Sequence, residues 1–246
     1  MSGAGHGEVR PAFYALPRGG WRDYVTLLHP PYTAWHLSYV VVGACLAPTV
    51  SWSRLGWTLL AFALAVGVAA HALDELSGRP LGTEIPSSVL AALAAGSLAA
   101  ACAIGIAGAV DFDAWLLAFV AVGAFLVLAY NLELGAGRLH TDLVFGLAWG
   151  GFPVLTGFFA SAGELRVEAV GAAAWATLLS LAQRRLSTPV RHLRRRASDV
   201  EGRVTLRDGR SEPVTRETLV AAPEAALRLL TAATVALAVT IALFRL

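Results

Sequence analysis

Seven long apolar runs, separated by short polar segments, account for most of the chain. They extend from Tyr32 to Pro48, Leu55 to Leu73, Val89 to Val110, Ala114 to Tyr130, Leu143 to Ala162, Val167 to Leu181 and Ala225 to Phe244. A membrane span needs about twenty predominantly apolar residues, and these runs are of that order. The pattern predicts an all-α protein: a polytopic membrane helical bundle of about seven transmembrane helices. It divides the chain into an N-terminal segment (1–31), a six-helix membrane core (32–183), a basic loop (184–218) and a last transmembrane helix (219–246). Neither an internal repeat nor a soluble catalytic domain is visible in it.

Composition agrees with a membrane bundle. Hydrophobic residues make up 57% of the 246 and charged residues only 15%, against roughly a quarter charged in soluble domains. The runs are rich in Ala and Gly, which let helix backbones approach closely in lipid. Gly146, Gly150, Gly151, Pro153 and Gly157 mark the fifth helix as one that packs closely or kinks. Cys45 and Cys102 lie inside apolar runs and read as small buried hydrophobes, not as a disulfide or metal motif. The first thirty or so residues lack the continuous apolar stretch of a cleavable signal peptide, so the first helix is expected to direct insertion.

Charge orients the bundle. All nineteen basic residues are arginine, and ten of them lie between Arg184 and Arg216. Arg10, Arg18, Arg22, Arg79 and Arg138 fall in segments on the same side as those ten, whereas the alternate loops carry Arg54 and Arg166. The excess of arginine in cytoplasmic loops predicts an integral cell-membrane protein with its N-terminus cytoplasmic and its C-terminus outside. The basic loop opens with arginines interleaved with Leu and Val, a pattern suited to an interfacial helix on anionic headgroups. Further on, Val204 and Leu206 alternate ahead of Asp208-Gly209, which suggests a small hairpin. The bilayer explains the basic patch, and no nucleic-acid partner is expected.

Ionisable groups in membrane helices are functional candidates by default. Here they gather on the predicted cytoplasmic side: His29 and His36 near the start of the first helix, His71, Asp74 and Glu75 at the end of the second, then Glu84. Glu133 ends the fourth helix, and His140 and Asp142 begin the fifth. His71, Asp74 and Glu75 are spaced to share one helix face. They could ligate a divalent cation, form a hydrogen-bonded network, or mark a helix end reaching water.

The order of these features resembles the UbiA superfamily of intramembrane prenyltransferases from about Leu28 to Leu181. Leu28-His29-Pro30 precedes the first helix where the family commonly has an Arg-Pro. The stretch from His71 through Arg79-Pro80-Leu81 to Glu84-Ile85-Pro86 is similar to the family's first aspartate motif and the loop after it. Tyr130 ends the fourth helix and the fifth is Gly-rich, as in the family. The chain departs from the pattern in keeping only Asp74 of the first motif. Where the second aspartate motif should stand it has Gln183-Arg184-Arg185. The family's usual helix count is about nine, and its lysine after the fourth helix is absent.

The resemblance implies a UbiA-like fold and a divergent prenyltransferase acting on an isoprenyl diphosphate. His71, Asp74 and Glu75 would then be catalytic, with Mg2+ on the carboxylates, and Arg79, Tyr130, Asn131, Arg138, Arg184, Arg185 and Arg191 would bind substrate. Two other readings stay open. In one, His36, His71, Glu75, Glu133 and His140 supply ligands for Fe or Zn in an intramembrane lipid oxidase or hydroxylase, which with Asp74 makes six candidate metal ligands in all. In the other, the protein is a non-catalytic lipid-binding or scaffold member of the fold. The sequence specifies neither acceptor nor oligomeric state.

Overall fold

The computed structural model describes residues 10–246, so the start of the expected N-terminal segment lies outside the described residues. The chain is predominantly helical. Its helices are α1 (Trp21–Leu27), α2 (Pro30–Leu46), α3 (Trp52–Leu76), α4 (Ser87–Asp111), α5 (Leu116–Asn131), α6 (Asp142–Ala162), α7 (Val167–Arg195) and α8 (Arg216–Phe244). Four of these, α3, α4, α6 and α8, are long and apolar enough to cross a membrane, and they mark an integral membrane protein. The apolar α5 is shorter, at 16 residues, and α2 has 17.

The expected helix ending at Leu181 runs on to Arg195. The basic stretch is therefore a continuation of α7 and not a separate interfacial helix. At 1.5 Å per residue its 29 residues extend about 43 Å, beyond the roughly 30 Å of a bilayer's hydrocarbon core. After α7 the chain forms the small hairpin expected around Asp208-Gly209. Strands β1 (Arg203–Thr205) and β2 (Ser211–Pro213) pair antiparallel, with Val204 opposite Glu212, and Gly209 takes the positive φ of the turn. A reciprocal Thr215–Thr218 capping box then starts α8.

Helix α6 is the packing centre. Its apolar window is 67% buried, against 17% for α4, which presents most of its surface outward. Glycine makes the central crossings possible. A Cβ on Gly43 of α2 would lie 2.1 Å from the Val154 carbonyl oxygen of α6, and one on Gly157 of α6 would lie 2.2 Å from the Val40 carbonyl oxygen of α2. Gly150 likewise brings α6 against the Ala176 carbonyl of α7. Trp35, Tyr39, Val154 and Ala176 fill the core between these helices.

Both α3 and α6 contain a wider turn with i→i+5 hydrogen bonding, at Ala63–Ala70 and Leu147–Gly151. Such turns recur at functional sites. In α6 the cause is legible: Pro153 has no N–H to offer the Trp149 carbonyl four residues back. His36 supplies the donor instead, from Nδ1 at 2.8 Å.

Candidate functional site

One end of the bundle collects the polar side chains. It is built by the turn-containing segment 11–16, the α1–α2 junction, the end of α3, the α5–α6 connection and the projecting end of α7. His29 lies between α1 and α2 with φ +45°, an uncommon backbone conformation for a residue other than glycine, and Pro30 opens α2 after it. The His29 ring stacks on His71 of α3 at 4.1 Å between centroids, and its Nδ1 is 2.7 Å from the Tyr14 hydroxyl. Its Nε2 is buried without a hydrogen-bond partner. Burial holds His29 well below its ordinary pKa of 6.5, and His71, Arg195 and Arg191 add to that shift. Burial pushes the Tyr14 phenol far up, so both groups are neutral near pH 7.

Asp74 and Glu75 do different jobs. Glu75 is fully buried: Oε1 accepts from the Thr83 N–H and hydroxyl, and Oε2 accepts from the Leu81 N–H. It pins the loop after α3. Arg79 holds the same loop, donating to the Thr83 and Ile85 carbonyls and to the Ser87 hydroxyl. Among the described residues the half-buried Asp74 carboxylate has no hydrogen bond or ion pair, and it lies within electrostatic reach of Arg195 and Arg191.

Helix α7 faces this carboxylate with arginine. Arg184, Arg191 and Arg195, seven and four residues apart, share a helix face, and all three are half-buried. Arg184 donates to Asp142 at 2.5 Å and to the Tyr130 hydroxyl. Among the described residues Arg191 donates only to Thr188 and Arg195 only to the Pro11 carbonyl, and neither has a carboxylate partner. Arg191 lies within electrostatic reach of Arg195, Tyr32, Arg184 and Tyr130. Arg194, pointing elsewhere, clamps the buried Glu224 of α8 through two nitrogens.

The other expected site residues are distributed as follows. Tyr130 is at the mouth, stacked on His140 at 4.3 Å. Asn131 turns back to the Val127 carbonyl, Arg138 is exposed, and Arg185 is exposed but 3.3 Å from Asp142. The six candidate metal ligands do not converge. His36 is committed to Trp149, His71 donates to its own helix at Gly67, Glu75 holds the loop, and Glu133 is exposed beside His140. Among the described residues no group of three or more His, Cys, Asp or Glu is placed to hold a metal ion. Sequence reasoning left out Tyr14, Tyr32, Trp149 and Arg195. Only Arg195 had a signal, its spacing from Arg191, and reading it required α7 to extend past Leu181.

An apolar cavity of ≈ 530 Å³ lies deeper, between α3, α4, α5 and α6, within the roughly 300–1,000 Å³ range of small-ligand pockets. Val66, Val127, Ala148 and Trp149 line its inner end. The same four residues pack with Tyr130 in one buried cluster. At the far end Arg54 lies over the Phe112 ring at 3.8 Å and donates to the Ala160 and Ser161 carbonyls that end α6. Compared with known proteins, the chain matches no family model, no curated sequence and no solved structure.

Proposed function

We propose that this is a seven-span membrane protein that transfers an isoprenyl group from an isoprenyl diphosphate to an acceptor at its polar, cytoplasmic mouth. The observation that carries this reading is an arginine face of α7, Arg184, Arg191 and Arg195, whose last two members lie within electrostatic reach of Asp74, a carboxylate with no hydrogen bond or ion pair among the described residues, at the end of an apolar bundle. Guanidinium groups make bidentate contacts to phosphate, and here they are partly withdrawn from water, which strengthens them. The apolar cavity behind Tyr130 and Trp149 offers room for an isoprenoid tail. The order of sequence features that resembles the UbiA superfamily points the same way.

In this reading the bond between the isoprenyl carbon and the diphosphate oxygen breaks, and its electron pair leaves with the diphosphate. The arginines stabilise that growing charge. The acceptor atom bonds to the same carbon and gives its proton to Asp74. The mouth residues Tyr14 and His29, both neutral, would border the reacting groups without adding charge.

The test is turnover of geranylgeranyl diphosphate by purified protein in lipid, with acceptors varied. Asp74→Asn is expected to bind the diphosphate and lose turnover. Undiminished turnover in that variant would remove Asp74 from the reaction. A wild-type protein that neither binds nor consumes any isoprenyl diphosphate would end the proposal.

A further inference from the structure

The resemblance behind the proposed function implies magnesium on paired aspartate motifs, and the residues at the mouth do not fit that arrangement. Magnesium is usually held by one or two carboxylates together with substrate phosphates. Both Glu75 oxygens are taken by the loop it pins, and Glu75 has no exposed surface. Asp142 has one oxygen on Arg184 and the other on Arg185. Of these three carboxylates Asp74 alone has no hydrogen bond or ion pair among the described residues, and Arg191 and Arg195 lie within electrostatic reach of it. One carboxylate beside two guanidiniums leaves little net negative charge to draw in a divalent cation. Where the second aspartate motif would stand, α7 carries Gln183, Arg184 and Arg185.

We infer that this site holds its diphosphate by arginine, through Arg184, Arg191 and Arg195, in place of carboxylate-bound magnesium. The inference rests on the isoprenyl diphosphate reading and specifies how that site meets its ligand's charge. Arg191 and Arg195 are half-buried cations without a carboxylate partner among the described residues. Burial of an unpaired charge is costly, and an anion bound between them would relieve it. The buried, unpartnered Nε2 of His29 belongs to the same cluster and adds a further polar atom that a bound oxyanion or its water could satisfy.

The experiment is thermal unfolding of the full chain in detergent with geranylgeranyl diphosphate, once in excess EDTA and once in magnesium chloride. Geranylgeraniol serves as the control for the tail alone. A ligand that binds only the folded state raises the midpoint by mass action. The expected result is an equal shift with and without magnesium, larger than that of geranylgeraniol. Arg191→Gln should weaken binding by about tenfold or more, the loss of a charged hydrogen-bonding partner. Should that variant fail to fold, Arg195→Gln carries the same expectation. A shift that requires magnesium, or undiminished affinity in the arginine variant, overturns the inference and leaves the isoprenyl diphosphate reading standing. No shift by the diphosphate under either condition overturns both.

Discussion

Asp74 and Glu75 are adjacent in sequence and opposite in circumstance. Their spacing from His71 places all three on one turn of α3, and the sequence makes either carboxylate an equal candidate for chemistry. The difference comes from the loop that follows, where Gly78 and Gly82 adopt positive φ and fold residues 81–83 back over Glu75. No helical periodicity encodes that return. The carboxylate of Glu75 satisfies two buried backbone N–H groups and one hydroxyl, so its removal leaves these donors unpaired away from water. Glu75→Ala is expected to destabilise the protein by about 3 kcal/mol, read as a lowered unfolding midpoint in detergent. An unchanged midpoint combined with lost ligand binding would instead return Glu75 to the site. Arg184 and Arg191 entered as substrate-binding residues through the resemblance, because the expected helix stopped at Leu181; their shared face follows only from α7 reaching Arg195.

Helix positions were largely legible because an apolar run in a membrane protein has few alternatives to a helix. The expected runs and the observed helices differ by no more than three residues at most ends. The exceptions are the polar ends of α7 and α8, which hydropathy cannot see: a helix that leaves the apolar layer keeps its backbone pattern while its side chains turn polar. The glycines of α6 were also legible as contacts, but their partners were not. Gly157 meets Val40 and Gly43 meets Val154, a crossing between helices that are over a hundred residues apart. Gly157→Ala would drive a methyl group into a backbone carbonyl that flexible side chains cannot relieve. The expected cost is about 1–3 kcal/mol in thermal unfolding. Gly171→Ala is the matched control, since a Cβ there meets nothing within 4 Å, and helix propensity alone should make it neutral or stabilising. Equal behaviour of the two variants would refute the close crossing.

For the molecule as a whole, the two ends are chemically unlike, and this asymmetry bears on where the mouth faces. Arg184, Arg185, Arg191, Arg194 and Arg195 lie on the polar end of α7, and Arg196 is its C-cap. The opposite end carries Arg166, which pairs with Glu164, and two arginines spent on capping: Arg54 on the carbonyls that end α6, and Arg245 on the Ala47 and Pro48 carbonyls after α2. Cations at helix C-termini are favourable there, so these two add little to the loop charge that sets orientation. Arg245 also ties the C-terminus to the exit of α2, whose entrance is His29. The C-terminus and the mouth are therefore at opposite ends, and locating one locates the other. With arginine retained on the inner side, a reporter fused after Leu246 should be active outside the cytoplasm. Activity confined to the cytoplasm would invert the bundle and put Arg184, Arg191 and Arg195 on the outer face. An isoprenyl diphosphate formed in the cytoplasm would then have no direct access to them, so this one measurement also tests whether the proposed substrate can reach the site.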